Sequence, residues 1–264
     1  MVELRLSNDE LGERRDHITT FIAETVDDAG ADGAVLGLSG GIDSTTVAHL
    51  AVEALGADKL KGLVMPGIVS REDNMSDAER VAEMLGIEYE VIEIAPIIEQ
   101  FVAAYPDAKG DDIAVGNARA RSRAVLNYLV GNHENRIVLG TGNRSEAQVG
   151  YYTKYGDGAV DCHPIGNLYK VQVRQLARDL EVPEDLVEKT PTAGLWSGQT
   201  DEEEMGIGYD TLDPILALHI DGPLSASATA ETLDIDLETI ETVREMYERS
   251  AHKRAMPPAP PAHD

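Results

Sequence analysis

The chain has 264 residues, 42% of them hydrophobic, and sets 22 Lys plus Arg against 48 Asp plus Glu for a formal net charge of −26. That length holds one large α/β core, and the charge excludes general nucleic-acid binding, which needs a basic face, and docking on anionic membrane surfaces. Its one cysteine, Cys162, excludes an intramolecular disulfide or a zinc site of several thiolates and reads as a small buried hydrophobe. The N-terminus is charged throughout with no apolar h-region, and no stretch approaches the roughly 18 apolar residues of a membrane span, so a cytoplasmic protein is expected.

In chain order, the apolar periodicity predicts a helix over 8–29 and then a short, nearly continuous apolar strand over 33–39. Such a run suits a strand buried on both faces of a parallel sheet. A helix over 42–55 follows, then a strand over 61–65 stopped by Pro66. The next helix, 76–85, carries Ala78, Val81, Ala82 and Leu85 at i, i+3, i+4 and i+7. A strand over 89–94, helices over 96–105 and 116–130, and a strand over 136–140 come next. A short strand around 161–165 is expected before a helix over 171–180. Segment 190–205, with Pro, two glycines and clustered acids, reads as a loop able to cover a site. A C-terminal helix over 236–252 leads into a Pro-rich tail, 256–264, expected to be disordered or extended. Strands alternating with helices predict an α/β doubly wound parallel sheet with helices on both faces, in a single domain over 1–264.

The basic residues are unevenly placed. Between Lys109 and Arg178 lie 10 of the 22, with only 6 of the 48 acids. In so acidic a chain this points to a pocket for anionic ligands. The surrounding acidity suits a cytosol of molar salt, where carboxylate repulsion is screened, and only 7 of the 22 basic residues are Lys.

Ser39-Gly40-Gly41-Ile42-Asp43-Ser44 lies between a predicted strand and a predicted helix. Paired glycines let the backbone turn sharply and approach a ligand. The free N–H groups and positive dipole end of the following helix bind phosphate. Ser39 and Ser44 add hydroxyls. Asp43 would repel phosphate unless a cation lay between, which implies Mg²⁺. No G-x-x-x-x-G-K-[ST] occurs, and the G-x-G at Gly140 and Gly142 lacks its third glycine, so neither a Walker loop nor a dinucleotide fingerprint is present.

The hexapeptide resembles the pyrophosphate loop of the N-type ATP pyrophosphatases. Four further motifs follow in order: Gly116-Asn117-Ala118-Arg119-Ala120-Arg121-Ser122-Arg123, Gly140-Thr141-Gly142-Asn143-Arg144-Ser145-Glu146, Tyr152-Thr153-Lys154-Tyr155-Gly156-Asp157-Gly158 and Lys189-Thr190-Pro191-Thr192-Ala193. With His252-Lys253-Arg254 they resemble the motif series of the ammonia-dependent NAD synthetase family, over about 33–257. The resemblance implies an adenine nucleotide alpha hydrolase-like fold. It also implies ATP held by Gly37, Leu38, Ser39, Gly40, Gly41, Ile42, Asp43 and Ser44, with contacts from Thr141, Lys170 and Thr192. Asp43 and Glu146 would ligate Mg²⁺, and Arg121, Lys154, Asp161, His252 and Lys253 would hold deamido-NAD. Asp43, Glu146 and Lys170 are the expected catalytic groups, ammonia the nitrogen source, and a homodimer paired through long helices the assembly.

Elementary geometry bears on several of these. Arg119, Arg121 and Arg123 cannot share one helix face, so at most two reach one ligand. Lys170 opens a helix, where a cation opposes the dipole, which hints at an anionic partner. The basic cluster 252–254 ends a helix and would suit the dipole without any ligand. Two other readings stay open: another pyrophosphatase of the group, such as a GMP-synthetase-type amidotransferase subunit, and an ATP sensor without catalysis.

Overall fold

The structure is a computed structural model that describes residues 4–66, 72–192 and 200–260. Four strands form one sheet: β1 Gly33–Gly37, β2 Leu60–Val64, β3 Glu88–Val91 and β4 Arg136–Leu139. Their order is β3-β2-β1-β4, with every pair parallel. The first half of the chain adds α1 Asn8–Asp28, α2 Ile42–Leu55, α3 Glu72–Leu85, α4 Ala95–Ala104 and α5 Asp112–Glu134. The second half adds α6 Arg144–Val149, α7 Lys170–Asp179, α8 Glu184–Val187, α9 Asp201–Met205, α10 Tyr209–Ile215, α11 Ala226–Leu233 and α12 Leu237–Arg249.

Side-chain alternation along the buried strands divides the core into two layers. Ala34, Leu36, Leu60, Val64, Ile137 and Leu139 pack with residues of α1, α2 and α7. Val35, Leu63 and Val138 face the other way, onto Ile94, Leu126, Tyr128 and Val130. Leu36 is fully buried at the sheet centre, so Leu36→Ala would cost ~2–5 kcal/mol. A third cluster lies beyond β4, where α10 and α12 meet α6 through Val149, Tyr209, Leu212, Ile215, Ile240 and Val243.

The helices have local causes. Ser7 and Glu10 form a capping box that opens α1, and Leu11, Ile18, Ile22 and Val26 turn one face of that helix inward. Asp111 caps α5, and Asn135 in the left-handed conformation ends it. That helix is longer than the 116–130 expected from the sequence. The expected strand at 161–165 is not formed. Cys162 makes a single parallel bridge to Leu139, and His163 and Gly166 close a turn around Pro164, which has no N–H to extend a ladder. Of the covering loop 190–205, residues 193–199 lie outside the described residues, and 201–205 are α9. Residues 256–260 of the tail are exposed and without regular structure, and 261–264 are also outside.

Candidate active site

The site lies where β1 and β4 end, at the carboxyl edge of the sheet where α/β proteins bind ligands. After β1 the chain turns through Gly40, whose φ of +71° favours glycine. It enters α2 at Gly41, which offers no side-chain cap, so the helix N-terminus is open to an anion. Ser39 and Ser44 brace the loop from within. Their hydroxyls lie 2.9 Å apart, and the Ser44 hydroxyl accepts from the Ser39 N–H at 3.3 Å. The Lys189 ammonium donates to the Gly40 carbonyl at 3.4 Å and pairs with Asp77. Thus Lys189, part of a recognised motif but without an expected role, tethers the loop from outside.

Asp43, in the first turn of α2, does not cap the helix. Its carboxylate accepts from the Lys170 ammonium and from the Asn143 amide at 3.1 Å. The Glu146 carboxylate lies 3.8 Å from the same ammonium. Lys170 is 1% exposed, against 18% for Asp43 and 17% for Glu146. The three expected catalytic groups therefore meet, from α2, α6 and α7. Burial works against the Lys170 charge, but Asp43 and Glu146 more than offset it, and its pKa lies above the ordinary value. For Glu146, burial and then the Asp43 charge push the carboxyl up to about 8, against the pull of Lys170. The Lys170 ammonium also sits 5.2 Å over the Tyr209 ring, whose hydroxyl donates to Asp201 at 3.0 Å.

Several supports are visible only in three dimensions. Asn143 and Glu146 form the capping box of α6, which fixes the Glu146 rotamer. The Lys170 N–H donates to the Ser145 hydroxyl at 3.0 Å, and Ser145 donates to the buried Asp213. Asn143 and Ser145 lie in a recognised motif and Asp201 among the clustered acids of 190–205, whereas nothing in the local sequence marked Asp213 or Tyr209. Thr141 is half-buried in the turn after β4, and Thr192 is exposed at the border of the described residues.

The other expected site residues form a second group. Arg121 donates Nε and Nη2 to the Lys154 carbonyl at 3.3 and 3.2 Å. The Lys154 ammonium donates to the His252 carbonyl. Lys253 donates to the carbonyls of Gly150 and Tyr152 at 2.6 and 2.7 Å. Arg121, Lys154, His252 and Lys253 thus line one surface. Asp161 is outside that network: its carboxylate accepts from the Tyr128 hydroxyl at 3.0 Å and the Val138 N–H at 2.7 Å, beside β4. Arg123 turns away from Arg121, with Nε on the Met65 carbonyl at 3.1 Å, as the i, i+2 spacing demands. Cys162 is half-buried.

A parallel sheet with an uncapped glycine-serine loop at its carboxyl edge, and a carboxylate–lysine pair at that loop, defines a nucleotide-binding α/β protein of the adenine nucleotide alpha hydrolase-like fold. The NAD synthase family description matches residues 15–257, and the chain belongs to that family. It is 68% identical to the NH(3)-dependent NAD(+) synthetase of Halobacterium salinarum over 98% of this chain and 97% of the relative. Among solved structures it is similar to the NMN synthetase of Francisella tularensis, with a TM-score of 0.83 and 38% identity over 95% of this chain and 98% of that one. The NH3-dependent NAD synthetase of Campylobacter jejuni is similar with a TM-score of 0.79 and 31% identity over 95% and 99% of the two chains. No helix among the described residues is long and apolar enough to cross a membrane.

Proposed function

We propose that the chain is an ammonia-dependent NAD synthetase that amidates deamido-NAD at the expense of ATP. The observation that carries the reading is the Lys170 ammonium held by Asp43 and near Glu146 at the head of the phosphate loop. A carboxylate is a poor acyl donor because O²⁻ does not leave. The nicotinate carboxylate attacks the α-phosphorus of ATP, the bond to the β-phosphate oxygen breaks, and pyrophosphate departs from an acyl-adenylate. Ammonia attacks the acyl carbon, AMP leaves, and the extra proton of the new amide nitrogen passes to solvent.

The chain's own part is positioning and charge neutralisation. The loop 37–44 and the N–H groups at the open end of α2 hold the phosphates, Lys170 faces them, and Thr141 and Thr192 contact the nucleotide. Arg121, Lys154, His252 and Lys253 hold deamido-NAD, with Asp161 a further contact beside β4. Among the described residues no group of three or more His, Cys, Asp or Glu is arranged for a metal ion, yet Asp43 and Glu146 fit Mg²⁺, which takes one or two carboxylates and completes its shell with phosphate and water. Both carboxylates approach one point, the Lys170 ammonium, from α2 and α6, and these two residues would hold the ion. When bound, it would neutralise charge on the phosphates.

We read the protein as a cytoplasmic, halophilic homodimer with one catalytic domain. The acidic surface and the Halobacterium relative support the salt reading. Val125 and Leu129, one turn apart on α5 and 66% and 62% exposed, support pairing through that helix. The test mixes protein, deamido-NAD, ATP, Mg²⁺ and ammonium at molar KCl. Equal yields of NAD, AMP and pyrophosphate are expected, and pyrophosphate without NAD would reject the substrate. The likeness to an NMN synthetase favours one second reading, amidation of the mononucleotide, and deamido-NMN in a parallel assay decides it.

A further inference from the structure

Lys189 is carried to the phosphate loop by chain that the core holds. Two residues before it α8 ends, with Leu186 and Val187 only 1% and 2% exposed. Two residues after it the Pro191 carbonyl accepts from the Asp201 N–H at 3.1 Å. Between these anchors the Lys189 side chain, 27% exposed, reaches two partners: the Asp77 carboxylate of α3 and the Gly40 carbonyl at 3.4 Å. Arg80 also approaches Asp77, at 4.0 Å, but its own bond is to Asp185 at 2.6 Å, and Asp185 feels the Lys189 charge as well. An ordinary surface lysine leaves its ammonium in water. This one turns it onto the backbone of the loop that the sequence marks for phosphate.

We propose that Lys189 is a positioning residue for the pyrophosphate half of ATP, acting through the Gly40–Gly41 peptide rather than by contact. The proposal rests on the ATP reading above and adds a residue to it. In a trans peptide the C=O and the N–H that follows it point in opposite directions. The Gly40 carbonyl points to Lys189, and the Gly41 N–H, on the other side, meets the hydroxyl of Ser39 at 3.3 Å. Gly40 is buried, whereas Ser39 is exposed and Gly41 half-buried, so the N–H side is the open side of the loop. A cation on the carbonyl polarises the peptide and makes its N–H a stronger donor, as linked hydrogen bonds strengthen one another. The same contact holds Gly40 at its φ of +71°, in the turn that aims that N–H. Both effects favour the anion at the open end of α2, which in this reading is the pair of phosphates that leaves. Asp77 holds the ammonium in place and offsets part of its charge.

The experiment measures, by titration calorimetry, the binding of pyrophosphate and of AMP, each with Mg²⁺, to the wild-type protein and to Lys189→Met, Lys189→Arg and Asp77→Asn. Lys189→Met should weaken pyrophosphate by about two- to tenfold, the worth of one hydrogen bond, and leave AMP, which lacks the departing phosphates, unchanged. Lys189→Arg keeps the charge in another shape and should recover part of the loss. Asp77→Asn keeps an oxygen for the ammonium but removes the opposing charge, so it should not weaken pyrophosphate. Because the two ligands are compared on one protein, a general loss of folded material does not move their ratio. Equal weakening of both ligands in Lys189→Met, or of neither, would overturn the proposal. So would an Asp77→Asn that weakens pyrophosphate as much as Lys189→Met does, since the ion pair would then be a fastener between α3 and the loop. A wild-type protein that binds neither compound would overturn the ATP reading itself.

Discussion

Ser145 donates its hydroxyl to the Asp213 carboxylate at 2.5 Å, and this one bond ties α6 to α10 beneath the site. The other Asp213 oxygen accepts from the Val171 N–H at 2.9 Å. Ser145 precedes Glu146, and Val171 follows Lys170. Asp213, 1% exposed, thus holds both charged residues by their chain neighbours without touching either. Asp213→Ala strands the buried Ser145 hydroxyl, at a cost of about 1–3 kcal/mol, and takes the acceptor from the part-buried Val171 N–H. Urea unfolding should show that loss, and pyrophosphate release should fall with it.

The same group gives a pH dependence. Burial pushes the Asp213 carboxyl up to about 6, against the pull of its Ser145 and Val171 bonds. The folded protein therefore holds this proton more tightly than the unfolded chain does. Its contribution to stability is complete below about pH 4 and is lost as the pH rises through 6. In Asp213→Asn that decline should be absent from a stability profile taken between pH 4 and 7. A profile parallel to wild type would reject the shift.

Lys170 tests the centre of the site. Lys170→Met leaves Asp43 and Glu146 without the ammonium they share, and removes the cation paired with the phosphate loop's Asp43. By analogy with loss of one preorganised electrostatic donor, kcat should fall by about 10²–10³-fold. Lys170→Arg, which keeps the charge in a different shape, should recover part of it. Steady-state NAD formation with both variants decides the matter, and near-wild-type kcat in Lys170→Met would remove Lys170 from the mechanism.

Much of this was legible in the chain because it is local. The apolar run at Gly33–Gly37, the helix Ile42–Leu55 and the loop between them follow from period and glycine chemistry. Lys61 did not interrupt its strand because Glu134 and Glu88 meet its ammonium at 2.5 and 3.2 Å. The strand expected over 161–165 stops at one bridge, because pairing with β4 reaches Cys162 and Pro164 has no N–H to carry it further. Residues 206–235 yielded no expectation: their helices are short, and Pro214 sits inside one of them. Asp43, Glu146 and Lys170 came from motif and resemblance, but Asp213 is 68 residues from Ser145 and acts only through the fold. The divergence of Arg121 and Arg123 was legible, since helix geometry alone requires it.

Cys162 should be a slow nucleophile. Burial pushes its thiol up to about 11, and the Asp161 charge adds to the effect. An ordinary thiol ionises near pH 9, so at pH 8 the native thiolate fraction is about 100-fold lower. Carboxymethylation of native protein should lag the urea-unfolded chain by at least that factor and accelerate about tenfold per pH unit up to 11. By the same linkage, this thiol's contribution to stability is kept below pH 9 and lost as the pH approaches 11. Equal native and unfolded rates at pH 8 would contradict the burial of the sulfur.

The net charge of −26 makes the last expectation quantitative in salt. Repulsion among surface carboxylates destabilises the compact state more than the expanded one, and salt relieves it by shortening the screening length from about 10 Å at 0.1 M to about 3 Å at 1 M. Urea midpoints should therefore rise steeply with KCl up to about 1 M and little beyond it if screening is the whole cause. NaCl at equal ionic strength should then do the same, because screening depends on charge and concentration rather than on the cation. A midpoint that keeps rising to 3 M, or that separates KCl from NaCl, would assign the effect to specific hydration or ion binding by the carboxylate surface. A midpoint that does not move at all would leave the acidity with a role in solubility alone and remove the halophilic reading.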